Sequence, residues 1–255
     1  MKFKFCEDAP VETIWTCNLC GSSVSRFIGQ KDRYGFPVSW AKCPECGLMF
    51  LSPRMTPESY REFYEARHYR KLLTEFHGKP YTAMSIEAEQ AHYADRLSDW
   101  IRPHMGPITG GTALDLGGST GVVLDRLVHD YNLDGTVVEP AGSEAERARD
   151  RGLAVAQVPL ESYDSGGNHY DLILLCQTID HLLDIKGSLA KIRGWMAPVG
   201  LFFVDFVENG PLKIDHPYYL SKTTMKRYVD EAGFVVKVME PSGDGLHVNV
   251  LCGVA

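Results

Sequence analysis

From residue 113 onward, short apolar runs alternate with helical segments, and this alternation limits the fold more than any other feature. Predicted strands cover residues 113–116, 136–139, 154–158, 171–176, 201–206, 234–239 and 248–252, and predicted helices cover 122–129, 143–151, 186–196 and 223–232. Such alternation predicts an α/β fold with a doubly wound, Rossmann-like, seven-stranded sheet. Only residues 240–246 join the last two strands, which is too short for a crossover helix, so the last strand should be antiparallel.

Composition and charge exclude several classes of protein. The chain has 255 residues with 44% apolar side chains, as in ordinary globular proteins. No apolar run reaches the roughly 20 residues of a membrane span, and the N-terminus lacks a secretory h-region. We therefore expect a cytoplasmic protein without a membrane partner. The net charge of −7 makes a nucleic-acid partner unlikely on charge grounds, because nucleic-acid binders are usually basic.

Four of the seven cysteines form two CxxC pairs, which are Cys17 with Cys20 and Cys43 with Cys46. Paired CxxC without a secretory signal points to metal rather than to disulfides. Four thiolates can bind one zinc ion tetrahedrally, and they leave no open position for catalysis. We predict a structural zinc ribbon, with residues 26–28 and 38–40 pairing as a hairpin. Reduced free cysteines and an iron–sulfur cluster are the alternatives.

Two helices are predicted between the ribbon and the α/β region. Thr56 can cap a helix that starts at Pro57 and runs to residue 67, and a second helix should cover residues 85–101. The resulting organisation is a zinc-ribbon module over residues 1–55, a helical connector or lid over 56–105, and an α/β domain over 106–255.

The first predicted strand ends in a glycine-rich turn, Asp115-Leu-Gly117-Gly118-Ser119-Thr-Gly121. Ligands bind at such turns in open α/β sheets. A dinucleotide fingerprint starting at Gly117 needs glycine at positions 119 and 122, where this chain has serine and valine. The pattern DxGxGxG of S-adenosylmethionine sites fits at three positions, with Ser119 in place of the middle glycine.

An acidic residue ends the second predicted strand. Glu139 lies 18 residues after Gly121, where a carboxylate can accept hydrogen bonds from both hydroxyls of a ribose. The turn and Glu139 together indicate a nucleoside-containing cofactor more specifically than either feature alone.

These motifs, together with QTIDHLLD at residues 177–184, resemble a family. The chain is similar to class I S-adenosylmethionine-dependent methyltransferases with an N-terminal zinc-binding module, which occur in bacterial sugar and natural-product pathways. The resemblance implies that Asp115, Gly117, Gly118 and Gly121 line the methionine end of the cofactor and that Glu139 binds its ribose. It also implies that Leu160 and Glu161 flank the adenine and that Gln177 and Thr178 lie beside the sulfonium.

In the sugar methyltransferases that this chain resembles, an acidic-His pair follows the fourth strand, and Asp180-His181 matches it here. The resemblance implies that His181 removes the acceptor's proton. Imidazole has a suitable pKa for that role near pH 7. His216, in the loop after the fifth strand, is the other candidate base. Tyr64, Tyr69 and Tyr81 could reach over the site from the N-terminal region.

Three functions remain open from the sequence. The first is methyl transfer to a small polar acceptor, such as a sugar nucleotide or a natural-product intermediate. The second is an RNA or protein methyltransferase that docks its substrate on the ribbon, and the third is an inactive methyltransferase fold that acts as an interaction protein. The oligomeric state is not predicted.

Overall fold

Small strands and helices precede an alternating α/β region in the computed structural model, which describes residues 4–208 and 210–254. The strands are β1 (Val11–Glu12), β2 (Ile28–Lys31), β3 (Pro37–Lys42), β4 (Met49–Leu51), β5 (Arg54–Met55), β6 (Thr112–Leu116), β7 (Asp134–Val138), β8 (Ala154–Ala156), β9 (Tyr170–Leu175), β10 (Met196–Val207), β11 (Tyr218–Tyr219), β12 (Phe234–Pro241) and β13 (His247–Val254). The α-helices are α1 (Lys4–Asp8), α2 (Pro57–Glu65), α3 (His68–His77), α4 (Ala83–Ile101), α5 (Val122–Tyr131), α6 (Gly142–Asp150), α7 (Ile185–Trp195) and α8 (Lys222–Glu231).

The main sheet has seven strands among the described residues, in the order β12-β13-β10-β9-β6-β7-β8. Strands β8, β7, β6, β9 and β10 are parallel to one another. The last strand, β13, lies between β10 and β12 and is antiparallel to both. This arrangement confirms the predicted doubly wound sheet and its antiparallel last strand.

Each face of the sheet has its own core. On one face, α4 and α5 cover apolar side chains such as Leu172 and Phe203. On the other face, α7 and α8 pack together with side chains of the cysteine-bearing segment, including Leu19 and Phe50. The N-terminal segment therefore shares a hydrophobic core with the α/β region.

The cysteine-bearing segment forms a small sheet that extends across the predicted domain boundary. Strands β2 and β3 pair as an antiparallel hairpin, with Ile28 opposite Trp40, and β4 joins β3. The fourth strand, β11, comes from the loop after β10, more than 160 residues later in the chain. The boundaries at residues 55 and 105 stay predictions, since these contacts cross the first of them.

Three helices connect the small sheet to the main one. The Thr56 hydroxyl accepts a hydrogen bond from the Ser59 amide, and Pro57 begins α2 as the sequence indicates. Helix α3 follows at once, in a region for which no helix was expected, and α4 covers the second predicted helix. Within the described residues, none of the helices has the length and apolar character that crossing a membrane requires.

Candidate active site

The glycine-rich turn after β6 is closely packed against its neighbours. A Cβ at Gly117 would lie 2.8 Å from the Thr178 hydroxyl oxygen, and one at Gly121 would lie 3.2 Å from the Ala148 backbone. Both glycines also have φ near +75°, which L-residues rarely adopt. Ser119 holds a left-handed conformation as well, with φ of 52°. Glycine is therefore required at positions 117 and 121 of the motif, whereas serine is tolerated at position 119.

Asp115, at the base of this turn, is a buried carboxylate without a partner. Its side chain is 1% exposed, and among the described residues neither oxygen has a hydrogen bond. A Cβ at Gly118 would lie only 2.7 Å from Asp115 Oδ2. Burial raises the pKa of Asp115 to about 7, and the nearby Glu139 and Asp205 carboxylates add to this effect. Such a group fits a ligand that brings a cationic or donor group.

Glu139 follows β7 and is held by two backbone amides. Its Oε2 accepts from the Ser119 amide at 3.0 Å, and its Oε1 accepts from the Ala141 amide at 2.8 Å. Burial raises the pKa of Glu139 to about 7, although both amide hydrogen bonds oppose the shift. A carboxylate oxygen can accept further hydrogen bonds, so Glu139 can bind hydroxyls from the cavity.

A cavity of about 620 Å³ lies over the carboxyl ends of β6, β7 and β9. The predicted cofactor residues that line it are Gly117, Glu139, Leu160, Glu161, Gln177 and Thr178. Asp115, Gly118 and Gly121 belong to the same turn but are not among the residues that line the cavity. The structure therefore brings the glycine-rich turn and Glu139 together with the residues that follow β8 and β9.

The other wall of the cavity comes from α2, α3 and α4. Tyrosine side chains dominate it, and they are Tyr60, Tyr64, Tyr69, Tyr81 and Tyr93. Glu87 on α4 accepts hydrogen bonds from Arg147 on α6 at 2.6 and 2.8 Å, and Arg70 on α3 pairs with the buried Glu144. These ion pairs hold α3 and α4 against α6. Tyr60 and Tyr93 were not among the expected site residues, because their spacing resembles that of a packing face.

Gln177 and Thr178 form a turn that directs the chain after β9 towards the cavity. Gln177 is left-handed, with φ of 50°, and its amide donates to Asp205 Oδ1 at 2.6 Å. The Thr178 hydroxyl donates to the Cys176 carbonyl. Asp205 also accepts from Tyr93, so one β10 carboxylate joins the turn to α4. Asp205 was not among the expected site residues, since its only signal is an acidic side chain within an apolar strand.

His181 lies on the cavity wall at the end of the short turn Ile179–His181. Its Nδ1 is 2.7 Å from the Tyr64 hydroxyl and 3.1 Å from the Asp215 carbonyl oxygen. Burial lowers the pKa of His181 to about 4, with a further contribution from the Lys213 charge. The imidazole is therefore neutral near pH 7 and can accept a proton.

Asp180 and His216, the other two predicted catalytic residues, do not line the cavity. His216 lies behind His181, with ring centroids 4.5 Å apart, and its Nε2 accepts from the Lys213 ammonium at 3.1 Å. Asp180 Oδ2 is 3.8 Å from His216 Nδ1. Of the two candidate bases, only His181 reaches the space where an acceptor could bind.

The four cysteine sulfurs of the two CxxC pairs converge on one point, with all four within 4.8 Å of one another. Cys17 and Cys46 sulfurs are 3.5 Å apart, as are those of Cys20 and Cys43. A ZnS₄ tetrahedron with Zn–S bonds of about 2.3 Å has S···S separations of about 3.8 Å. Backbone amides after the cysteines donate to the sulfurs, so the donor set fits a tetrahedral metal ion.

Comparisons with known proteins address the family. A family model described as "Methyltransferase domain" matches residues 88–237, which is more than half of the chain. A curated relative, tRNA U34 carboxymethyltransferase of Vibrio atlanticus (strain LGP32), is 23% identical over 195 residues, which cover 67% of this chain and 60% of that protein. This chain thus spans less than two thirds of the relative's length.

Solved structures share the fold at low sequence identity. The glycopeptide N-methyltransferase MtfA in complex with S-adenosylmethionine matches with a TM-score of 0.53 and 16% identity, over 63% of this chain and 93% of that one. The complex of the Haloferax volcanii Trm112 methyltransferase activator and a putative methyltransferase matches with a TM-score of 0.58 and 12% identity, over 67% and 94%. The solved structures and the strand order show the fold, and the family match shows that the chain belongs to the methyltransferase-domain family, as the sequence predicts.

Proposed function

We propose that this protein transfers a methyl group from S-adenosylmethionine to a small polar acceptor, with His181 as the base. One observation carries the proposal: the same cavity of about 620 Å³ is lined by both Glu139 and His181. The methyl donor and the acceptor can therefore bind side by side. The donor supplies the electrophilic carbon, so the protein has to align the acceptor and take up its proton.

The buried carboxylates support the choice of donor. Asp115 has no protein partner among the described residues, and the cationic amino group of the methionine moiety would supply one. Glu139 would accept hydrogen bonds from the ribose hydroxyls. Leu160 and Glu161 would flank the adenine, and Gln177 and Thr178 would face the sulfonium.

The size and lining of the cavity support a small acceptor. Its volume falls in the range of about 300–1,000 Å³ that is usual for small-molecule sites, and the cofactor takes part of that volume. Five tyrosines and several charged side chains line it, which suits a ring that bears hydroxyl groups. A sugar nucleotide or a natural-product intermediate of that kind is the acceptor class that we propose.

RNA is the second candidate acceptor, and one observation favours it. Curated relatives of this chain are tRNA U34 carboxymethyltransferases, which favours an RNA acceptor although the net charge of −7 counts against one. The earlier expectation of no nucleic-acid partner loses support for this reason. Retention on immobilised tRNA that falls steeply with salt would favour the RNA acceptor, because phosphate contacts release counterions.

We also propose that Cys17, Cys20, Cys43 and Cys46 hold a structural zinc ion. The support is the convergence of four sulfurs at near-tetrahedral separations. Four thiolates complete the coordination of zinc, so the ion would hold the two knuckles together and bind no substrate.

A methyl-transfer screen tests the proposed function. Purified protein is incubated with tritiated-methyl S-adenosylmethionine and either sugar nucleotides, small-molecule extracts or total tRNA. We expect label in the small-molecule fractions with the wild-type protein, and labelling that is roughly 10²–10⁴-fold slower with His181→Ala. Label in the tRNA fraction alone would replace the small acceptor with RNA, and the absence of cofactor binding by calorimetry would overturn the proposal altogether.

A further inference from the structure

The chain leaves β9 through a turn whose backbone conformation is unfavourable for the residue that adopts it. Gln177 is left-handed, with φ of 50°, although it is neither glycine nor asparagine. The next residue, Thr178, packs so closely against the glycine-rich turn that a Cβ at Gly117 would lie 2.8 Å from the Thr178 methyl carbon. Strained conformations of this kind cluster at ligand sites and persist only where neighbouring groups hold them. A group near Gln177 must therefore hold this turn in place.

A carboxylate from the neighbouring strand holds the turn. Asp205, on β10, accepts a hydrogen bond from the Gln177 amide at 2.6 Å. Hydrogen bonds from an amide to a carboxylate are short and strong, because the acceptor carries a full charge. Burial raises the pKa of Asp205 to about 6, so the carboxylate is charged at pH 8. At that pH, Asp205 can offset the cost of the left-handed conformation.

The packing of the sheet does not require an acid at position 205. Val204 and Phe206, on either side of Asp205, have no exposed surface, and neither does Asp205 itself. Burying a carboxylate is costly, and an apolar side chain would suit the interior of a strand better. Asp205 lies near the carboxyl end of β10, and open α/β sheets bind their ligands at the carboxyl ends of their strands. This position indicates a role in the ligand site rather than in the stability of the sheet.

Helix α4 holds the second oxygen of Asp205. The Tyr93 hydroxyl donates to Asp205 Oδ2 at 3.1 Å, and Tyr93 lines the same cavity as Gln177. Two donors on two oxygens fix the rotation of the carboxylate, so the tyrosine keeps the bond to Gln177 aligned. Three residues earlier on α4, Gln90 accepts from the Thr120 hydroxyl of the glycine-rich turn at 3.1 Å. Helix α4 therefore contacts both the turn after β6 and, through Asp205, the turn after β9.

We propose that Asp205 is a positioning residue that makes the turn at residues 177–178 depend on α4. By accepting from both Tyr93 and Gln177, its carboxylate holds this wall of the cavity in the conformation that receives the methyl donor. Tyr93 then acts through Asp205 and not by contact with the acceptor. The inference rests on S-adenosylmethionine as the proposed cofactor, and it requires neither the proposed acceptor nor the proposed role of His181.

The first test observes the Gln177 amide by NMR at pH 8, in the full-length protein without cofactor. The chain has four glutamines, so selective ¹⁵N labelling of glutamine gives few signals, and Gln177→Asn identifies the relevant one. A short hydrogen bond to a carboxylate shifts an amide proton downfield and slows its exchange with solvent. We expect the downfield shift to be lost in Asp205→Ala and reduced in Tyr93→Phe. An unchanged signal in both variants would overturn the proposal.

The second test measures the affinity for S-adenosylmethionine by calorimetry. Asp205→Ala removes a hydrogen bond to a charged group, so the affinity should fall roughly tenfold to a hundredfold. Asp205→Asn should restore most of the affinity, because its amide group can accept from Gln177 and donate to the Tyr93 oxygen. Tyr93→Phe, which keeps the ring, should weaken binding by about twofold to tenfold and replaces Asp205→Ala if that variant does not fold. Wild-type affinity in both Asp205→Ala and Tyr93→Phe would contradict the proposal.

A glycine at position 177 tests whether these losses pass through the turn. Glycine adopts left-handed conformations without strain, so Gln177→Gly should make cofactor binding less dependent on Asp205. In the Gln177→Gly background, Tyr93→Phe should therefore weaken binding by less than it does in the wild type. An equal loss in the two backgrounds would mean that Tyr93 does not act through the turn, and the proposal would be wrong.

Tyr131→Phe is the matched control. The Tyr131 hydroxyl donates to the Ser98 carbonyl of the same helix α4 at 2.6 Å, but Tyr131 is not among the residues that line the cavity. We expect this variant to keep both the cofactor affinity and the Gln177 signal, and equal losses there would overturn the specific role of Asp205. Failure of the wild type to bind S-adenosylmethionine would instead refute the proposed cofactor. The Gln177 signal needs no cofactor, so it would still decide whether Asp205 holds the turn.

Discussion

Ser119 and Gln177, which line the cavity after β6 and β9, hold left-handed backbone conformations. In each case a buried carboxylate accepts the hydrogen bond of the backbone amide: Glu139 for Ser119, and Asp205 for Gln177. Such conformations cost free energy and persist only where surrounding groups hold them. The sequence could indicate the first, because Ser119 replaces a glycine of a known motif. It could not indicate the second, because the motif at residues 177–184 has no glycine or asparagine at Gln177 to mark a left-handed conformation.

At Glu139, the expected effect of mutation is on cofactor binding. Glu139→Ala removes a charged acceptor from the proposed ribose site, a loss of about 1.5–3 kcal/mol. We therefore expect the calorimetric affinity for S-adenosylmethionine to fall roughly tenfold to a hundredfold. Glu146→Ala, an exposed position on α6, is the control and should bind normally. Unchanged affinity in Glu139→Ala would remove Glu139 from the site, and tight NAD binding would refute the choice of cofactor.

At His181, the expected effect is on turnover instead. His181→Ala should lower turnover by roughly 10²–10⁴-fold, as is typical for loss of a general base, with cofactor affinity nearly unchanged. His216→Ala should be milder, because His216 lies behind the cavity wall. The measurement is steady-state kinetics over a range of pH. A dead His216→Ala beside an active His181→Ala would exchange the two roles, and two active variants would mean that alignment alone suffices.

At the scale of the elements, the sequence predicted the features that depend on residues close together in the chain. Thr56 and Pro57 mark the start of α2, and the short 240–246 connection fixes the direction of β13. Helix α3 was missed because Arg67, its left-handed N-cap, makes no side-chain capping bond. The pairing of β11 with β4 was missed because two residues carry no periodicity and their partner is far away in the chain.

That missed pairing connects the cysteine-bearing segment to the loop behind His181. Asp32 Oδ2 accepts from the Ile214 amide at 2.8 Å, and the Leu51 amide donates to the Pro217 carbonyl at 2.9 Å. These bonds lie on either side of Asp215 and His216. The small sheet therefore supports the loop that carries Asp215 and His216, behind the proposed base.

Loss of the proposed zinc should therefore affect the active site. Cys43→Ser should lower the zinc content from about one ion per chain, destabilise the small sheet and reduce turnover, because the loop that carries His216 loses its support. Elemental analysis and the methyl-transfer assay measure the two effects. Cys6 is a buried cysteine that is not one of the four proposed zinc ligands, so the Cys6→Ser variant should keep its zinc. Wild-type protein without metal after chelator-free purification would contradict the zinc proposal.

At the scale of the whole molecule, the sheet and its ends place several carboxylates in the interior. Burial raises the pKa to about 7 for Asp115, Glu139 and Asp180, and to about 6 for Asp205 and Asp215. The sequence predicted the residues of the cofactor motifs among them. It could not predict their common burial, which arises only when β6, β7, β9 and β10 bring their carboxyl ends to one edge.

The pH dependence of stability follows from these raised values. For Asp115, the folded-state pKa is about 7 against 3.8 for the free side chain, so the folded protein holds a proton between these values that the unfolded chain releases. The contribution of Asp115 to stability is therefore fully present below 3.8 and is lost as the pH rises to about 7. The slope is at most about 1.4 kcal/mol per pH unit for each such group.

The Asp115→Asn variant separates the pH-dependent loss of stability from the proposed role of the carboxylate in cofactor binding. The amide cannot ionise, so the unfolding free energy of the cofactor-free variant should fall less steeply between pH 5 and 8 than that of the wild type. Urea unfolding at several pH values measures the difference, with Asp150→Asn on the surface of α6 as the control. The same variant should bind S-adenosylmethionine more weakly, since the cationic end of the ligand loses its counter-charge. Parallel pH curves for wild type and variant would show that Asp115 stays charged in the folded protein, and equal cofactor affinity would place the amino group of the ligand elsewhere.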